Sequence, residues 1–300
     1  MAKHRTRTID GLSVFYREAG DPGKPAIVLL HGFPTSSHMY RHLIPALAAD
    51  FHVIVPDYPG FGQSAAPSPS AFRYTFDRLA DVMEKLLLTE LRLETFGLFV
   101  QDYGSPVGFR LATRHPDRVE WLVVQNGNAY EEGFTGFWKH FREQYWQNPS
   151  PETEAPLRAF LTPDAARWIY TAGARDVEEV SPDNWIVDLA ALSRPESERI
   201  QLDLFYDYRT NVTQYPVWQR YLRTRKPPTL VVWGKNDPIF SPEGADAFRR
   251  DVPEAEIHLL DTGHFALEED LDRIVTLMRE FYARRVRGGT IRGARAPVAV

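Results

Sequence analysis

Three residues able to move charge or protons stand just beyond three short apolar runs. Asp102 follows Phe96 to Val100 and is itself followed by Tyr103-Gly104 and a helical pattern. Asp237 follows Leu230 to Trp233, in the string Gly234-Lys235-Asn236-Asp237-Pro238. His264 follows Ile257 to Leu260, in the string Asp261-Thr262-Gly263-His264-Phe265. A carboxylate on a tight strand-to-helix turn is presented outward, with the helix N-terminus facing whatever reacts there. A histidine takes a proton from water near neutral pH, and a second carboxylate fixes its tautomer. Taken singly, each residue has a plainer role: an N-cap, a turn residue, a histidine at a helix start. The order nucleophile, acid, histidine, each just after a strand, gives them a joint chemical role instead. An ordinary aspartate has a pKa of about 3.9, so it is ionised at neutral pH and needs no base to attack an sp³ carbon. The product of that attack is an ester on Asp102, which water activated by His264 can hydrolyse while Asp237 holds the imidazole.

Other chemistries lack their residues. Gly62-Gln63-Ser64-Ala65-Ala66 has the small-x-Ser-x-small spacing, but it lies in a loop with no strand–turn–helix context. Ser105 follows Gly104 in the wrong register for a nucleophile. Gly20 to Lys24 lacks the spacing and the Ser/Thr of a phosphate loop. Cysteine is absent, which excludes disulfides, thiolate nucleophiles and zinc–thiolate sites. The nine histidines form no helical pair with a carboxylate, so neither metal nor cofactor is expected.

The elements that must position these residues alternate. Ala26 to Leu30, Val53 to Val55, Phe96 to Val100, Trp121 to Val124, Leu230 to Trp233 and Ile257 to Leu260 read as buried parallel strands. Between them, Met39 to Ala49, Asp77 to Leu88, Pro106 to Arg114 and Leu267 to Arg284 read as helices. Arg5 to Asp10 and Leu12 to Arg17 read as an antiparallel edge hairpin. The pattern predicts an α/β fold with a mostly parallel, doubly wound sheet. One stretch interrupts it. Residues 127–228 show no clear sheet strand yet hold five of the seven tryptophans, Trp138, Trp146, Trp168, Trp185 and Trp218. A segment of that length is not a loop, so it is expected to be an inserted helical lid over a pocket. The expected core is 1–126 and 229–284, with 285–300 a flexible tail. The 300 residues are 43% hydrophobic and 25% charged, as in ordinary globular proteins, and the net charge of −5 offers no field for nucleic acid. No apolar run is long enough to span a bilayer and no secretory signal opens the chain, so a cytoplasmic location is expected.

The chain resembles the α/β-hydrolase superfamily, and within it the aspartate-nucleophile branch of epoxide hydrolases and haloalkane dehalogenases. The motifs are His31-Gly32-Phe33-Pro34-Thr35-Ser36-Ser37, Asp57-Tyr58-Pro59-Gly60-Phe61-Gly62-Gln63-Ser64, Val100-Gln101-Asp102-Tyr103-Gly104, and the Asp237 and His264 loops. The resemblance implies an oxyanion hole from the backbone N–H groups of Phe33 and Tyr103, and a small apolar organic substrate. Dehalogenases of this branch usually hold halide with two side-chain N–H groups, at positions where this chain has Phe33 and Tyr103. Epoxide hydrolases use lid tyrosines to protonate the oxirane oxygen. Tyr206-Asp207-Tyr208-Arg209-Thr210-Asn211 is similar to their second-tyrosine segment, which makes Tyr208 the candidate donor. Tyr145-Trp146-Gln147-Asn148-Pro149 is similar to the early-lid segment, with Arg142 at the donor register and Tyr145 three residues on. The resemblance therefore favours an epoxide hydrolase giving a diol. A haloalkane dehalogenase with an atypical halide site and a non-catalytic ligand binder are the alternatives.

Overall fold

The computed structural model describes residues 1–288. The eight strands are β1 (Lys3–Ile9), β2 (Leu12–Ala19), β3 (Ala26–Leu30), β4 (His52–Pro56), β5 (Phe96–Gln101), β6 (Val119–Gln125), β7 (Thr229–Gly234) and β8 (Glu256–Leu260). They form one sheet in the order β1-β2-β4-β3-β5-β6-β7-β8. The β1–β2 and β2–β4 pairs are antiparallel, and every other pair is parallel. The hairpin turns on Asp10 and Gly11, both at positive φ (49° and 84°), the geometry that twists with its strands. Strands β4, β5 and β7 are buried throughout, as their unbroken apolar runs require. The chain runs outward from β3 in both directions, through β4 on one side and β5 on the other. The crevice beyond the carboxyl ends of β3 and β5 is thus the switch point where open α/β sheets place their sites.

Three helices are tied by a single buried cation. Arg110, on the helix Gly104–Arg114, donates through Nε to Asp77 Oδ1 at 2.7 Å, on the helix Phe76–Glu84. Its Nη1 donates to Asn211 Oδ1 at 2.7 Å, on the helix Arg209–Arg225. The last helix lies in the stretch between β6 and β7, which contains helices and turns and, among the described residues, no sheet strand. Trp218 on that helix stacks on Phe109 with centroids 5.5 Å apart. The segment is therefore fastened to the core by burial and by charge.

Three boundaries differ from the sequence reading. The helix expected over Met39 to Ala49 is a 3-10 turn, Ser37–Tyr40, followed by a short helix, Leu43–Leu47. The tighter turn lets the Tyr40 hydroxyl donate to the Leu30 carbonyl at 2.9 Å, at the end of β3. The final helix runs Leu271–Phe281, preceded by a separate turn, Ala266–Glu268, where Glu268 accepts two hydrogen bonds from Arg41 at 2.8 and 3.1 Å. Of the expected tail, Arg285 to Arg287 continue the chain's last helical turns, Tyr282–Arg287, with Arg285 paired to Glu254. Residues 289–300 lie outside the described part. No helix among the described residues is long and apolar enough to cross a membrane.

Candidate active site

Asp102 sits at the turn between β5 and the helix Gly104–Arg114, with φ at 47°. An aspartate tolerates this left-handed conformation only where its surroundings impose it. They do so by close packing. A Cβ on Gly32 would lie 2.3 Å from Asp102 Cβ, and one on Gly104 would lie 2.1 Å from the Leu30 carbonyl oxygen. The end of β3 and the turn after β5 thus touch backbone to backbone. Val100, bulky where the turn pattern commonly has glycine, is accommodated from the helix side. A Cβ on Gly108 would lie 2.5 Å from Val100 Cγ1, so glycine there opens the space.

That contact aims two N–H groups at the carboxylate. Phe33 N–H donates to Asp102 Oδ1 at 2.7 Å, and the Tyr103 N–H donates to the same carboxyl group. Burial raises the Asp102 pKa to about 6, against the lowering effects of His264 and the two backbone donors. The sequence reading expected an aspartate of ordinary acidity. Asp102 is only 5% exposed, and desolvation of its charge is the reason for the difference. At pH 7 roughly nine-tenths of the group is still ionised.

His264 is fully buried beside it. Its Nδ1 donates to Asp237 Oδ2 at 2.8 Å, and its Nε2 accepts from Gln101 Nε2 at 2.8 Å. These partners fix the Nδ1–H tautomer and leave the basic lone pair on Nε2. Burial alone lowers the histidine pKa, but the charge and hydrogen bond of Asp237, helped by the charge of Asp102, carry it above the ordinary value. Asp237 Oδ1 accepts from the Ile239 N–H at 2.8 Å, which holds the carboxylate against its own loop.

A further residue orients this pair. Asn126, just past β6, donates through Nδ2 to Asp237 Oδ2 at 2.8 Å and to the Gly234 carbonyl at 3.2 Å. Its Oδ1 accepts from the Gly234 N–H at 2.9 Å. Its φ is 43°, a conformation asparagine adopts more readily than most residues. The sequence reading missed it. Its signal was a polar residue at a strand end beside Gly127, the same positional rule that found the other three. Asn126→Ala is expected to leave the buried Gly234 N–H and one Asp237 lone pair unpartnered. The expected loss of stability is about 1–3 kcal/mol, with reduced turnover, read by urea denaturation beside steady-state assays. An unfolding midpoint equal to the parent's would remove Asn126 from this role.

Above Asp102 lies a cavity of about 30 Å³. Its wall is aromatic: Phe33 and Tyr103 come from the core, and Phe137, Trp138, Phe160, Trp168 and Phe205 from the helical stretch between β6 and β7. Asp102 is the single charged side chain on it. The space suits a water-sized guest, so a larger ligand must displace the rings contributed by the helical stretch.

A sequence model of the α/β hydrolase fold matches residues 25–271. The chain belongs to the α/β-hydrolase family. It is 47% identical over 270 residues to an uncharacterised hydrolase of Saccharomyces cerevisiae, covering 88% of this chain and 91% of that one. It is 46% identical over 234 residues to a haloalkane dehalogenase of Mycobacterium marinum, covering 76% and 74%. Among solved structures it superposes on the epoxide hydrolase CorEH with a TM-score of 0.77, at 22% identity, covering 95% of this chain and 99% of that one. At that identity the likeness is one of fold alone.

In this α/β-hydrolase the two tyrosines singled out from sequence, both in the helical stretch between β6 and β7, are not on the cavity wall. Tyr208 is wedged between Trp138, centroids 4.5 Å apart, and Trp146, 6.1 Å apart and nearly parallel. Its hydroxyl is buried beside that of Tyr215. The Tyr145 hydroxyl donates to the Leu202 carbonyl at 3.0 Å, well inside the helical stretch. Both side chains are taken up by packing, because helices with this many aromatic residues bury most of them against one another. Ser64 behaves as the loop residue expected. Its hydroxyl donates to the Asp57 carbonyl at 2.7 Å and accepts from the Phe15 N–H at 2.9 Å, far from nucleophilic duty.

Proposed function

We propose that this hydrolase opens an epoxide by attack of Asp102 on a ring carbon, forms an alkyl ester, and hydrolyses that ester to a diol. The observation that carries the reading is the Asp102 carboxylate, held by two backbone N–H groups with the His264–Asp237 pair buried beside it. In the first step the carboxylate displaces the leaving oxygen in line, and the surrounding rings exclude bulk water from the field of the charge. In the second, water activated by His264 attacks the ester carbonyl. The oxyanion then forms where the Phe33 and Tyr103 N–H groups already point. Alkylation also removes the Asp102 charge, one of the causes that raise the His264 pKa. The histidine therefore meets the hydrolytic step less basic than in the free enzyme and more completely neutral, as a general base must be. The helical stretch between β6 and β7 serves as the lid.

Halide release is the second reading, favoured by the similarity to the Mycobacterium marinum dehalogenase. Against it stands the supply of N–H donors. Phe33 and Tyr103 have none in their side chains. The Trp138 indole N–H is donated to the Ile239 carbonyl at 3.0 Å, and that of Trp146 to the Phe205 carbonyl at 2.9 Å. Of the wall residues, that leaves the half-exposed Trp168 indole. A panel of epoxides, haloalkanes and aryl esters assayed side by side separates the readings. Diol from epoxides supports the first, and halide release without diol formation overturns it.

The acidity of Asp102 sets the pH dependence of the first step. Protonation removes the nucleophile, so the single-turnover alkylation rate should be level above its pKa of about 6 and fall tenfold per pH unit below it. Rapid-quench measurement of ester formation gives this profile directly. A rate that stays level down to about pH 4 would mean a nucleophile of ordinary acidity, contrary to the burial of Asp102.

A further inference from the structure

Among the residues on the cavity wall, one carries a hydroxyl. Tyr103 follows Asp102, is 3% exposed, and borders the same cavity. Its hydroxyl makes no hydrogen bond to the protein. Three other tyrosine hydroxyls near the site are engaged with the protein. Tyr40 donates to the Leu30 carbonyl at 2.9 Å, Tyr170 to Asp188 Oδ2 at 2.6 Å, and Tyr145 to the Leu202 carbonyl at 3.0 Å. The Tyr58 and Tyr208 hydroxyls are buried and also without a partner, but neither residue borders the cavity, and Tyr208 is stacked behind its wall. The Tyr103 ring is meanwhile held edge-on by Phe76, with centroids 4.9 Å apart, and flanked by Phe33 at 6.1 Å.

We propose that the Tyr103 hydroxyl is the acid of the ring-opening step, donating to the epoxide oxygen as its bond to carbon breaks. The assignment rests on the epoxide reading above. The bond from an Asp102 oxygen to the ring carbon forms while the carbon–oxygen bond of the ring breaks, and its electron pair stays on the departing oxygen. That oxygen takes the phenolic proton. In the second step the water oxygen bonds to the ester carbonyl carbon as one water proton passes to His264. The bond from that carbon to the diol oxygen then breaks, the departing oxygen takes the other water proton, and the imidazolium returns its proton through solvent to the Tyr103 phenolate. The sum is epoxide plus water to diol, with both side chains regenerated.

The neighbouring charge makes this donor selective for the transition state. In the free enzyme, burial foremost and then the adjacent Asp102 carboxylate hold the Tyr103 phenol well above its ordinary pKa, so it stays protonated. As the ester forms, the negative charge leaves Asp102 and appears on the epoxide oxygen. The repulsion that opposed proton donation becomes an attraction for it. Such a contact is stronger in the transition state than in the ground state, which is the condition for accelerating the step. One residue then serves both halves of the reaction: its side chain in alkylation, and its main-chain N–H in hydrolysis.

The test is single-turnover alkylation by styrene oxide in a His264→Gln background, where the ester persists, followed by intact mass. Tyr103→Phe keeps the ring, its packing and the backbone N–H. It should slow ester formation about a hundredfold, the scale of one lost transition-state hydrogen bond, whereas Tyr208→Phe should change it less than about threefold. A fluorotyrosine at position 103 restores the donor with the same shape, and it should bring the rate back toward the parent's. Unchanged alkylation in Tyr103→Phe overturns the assignment and leaves the epoxide reading intact. So does a larger loss in Tyr208→Phe. A His264→Gln parent that styrene oxide does not alkylate, though haloalkanes do, overturns the epoxide reading and the Tyr103 assignment with it.

Discussion

Asp102→Asn is expected to abolish turnover, by about four orders of magnitude or more, while leaving the protein folded. The amide keeps the shape of the carboxyl group, and its oxygen can still accept from the Phe33 and Tyr103 N–H groups. What it lacks is the charge that attacks carbon. Stability should move the other way. Burial raises the Asp102 pKa to about 6, so the folded state holds the charged form less well than the unfolded chain does. Between the unfolded pKa near 4 and the folded value the native state binds more protons, and stability falls as pH rises through that window. Above it the whole cost is present, on the order of 2–3 kcal/mol. Asp102→Asn should therefore unfold at higher urea than the parent at pH 7, with the gain disappearing toward about pH 4. Parent-like turnover in a sample shown by mass spectrometry to be free of deamidated Asp would exclude Asp102 as nucleophile. An unfolding midpoint equal to the parent's at pH 7 would exclude the burial cost.

His264→Gln should separate the two steps. Alkylation needs the Asp102 carboxylate and no base, so it proceeds. Hydrolysis loses the group that takes a proton from water, and steady-state turnover should drop by about three orders of magnitude or more. The enzyme should then accumulate as a covalent adduct, one per chain. For an epoxide the mass gain is the whole substrate, because the leaving oxygen remains attached. For a haloalkane it is the alkyl group alone, because the halide departs. One spectrum thus tests the two-step mechanism and the substrate class together. A substrate that the parent turns over but that leaves no mass on His264→Gln would argue for direct attack of water.

Both predictions depend on residues legible in the sequence. Asp102, Asp237 and His264 are marked by a local rule, since each stands within four residues of the end of an apolar run of strand length. Strand runs are local features as well. The bounds of β3 agree with the sequence reading, and those of the other core strands fall within two residues of it, because a strand buried on both faces requires an unbroken apolar run. The strand β8, at the sheet edge, stays within that margin but is mostly half-buried, with Leu259 exposed. The Asp10-Gly11 hairpin is equally local.

What the sequence did not determine is where groups distant in the chain meet. Asn126 supports Asp237 across 111 positions of chain, and Gln101 reaches His264 across 163. Neither partnership has a spacing to read. The acidity of Asp102 came from burial, which is set by rings arriving from the helical stretch between β6 and β7. The tyrosines were misplaced for the same reason. A matching string found Tyr208 and Tyr145, but packing decides which ring takes the cavity wall and which is stacked behind it. It put Tyr103 on the wall and buried Tyr208 against Trp138 and Trp146. Turns and strands are decided by neighbours within a few residues, and the sequence determined those. The direction of a hydroxyl and the energy of a buried charge are decided by surroundings drawn from the whole chain, and these only the tertiary structure supplied.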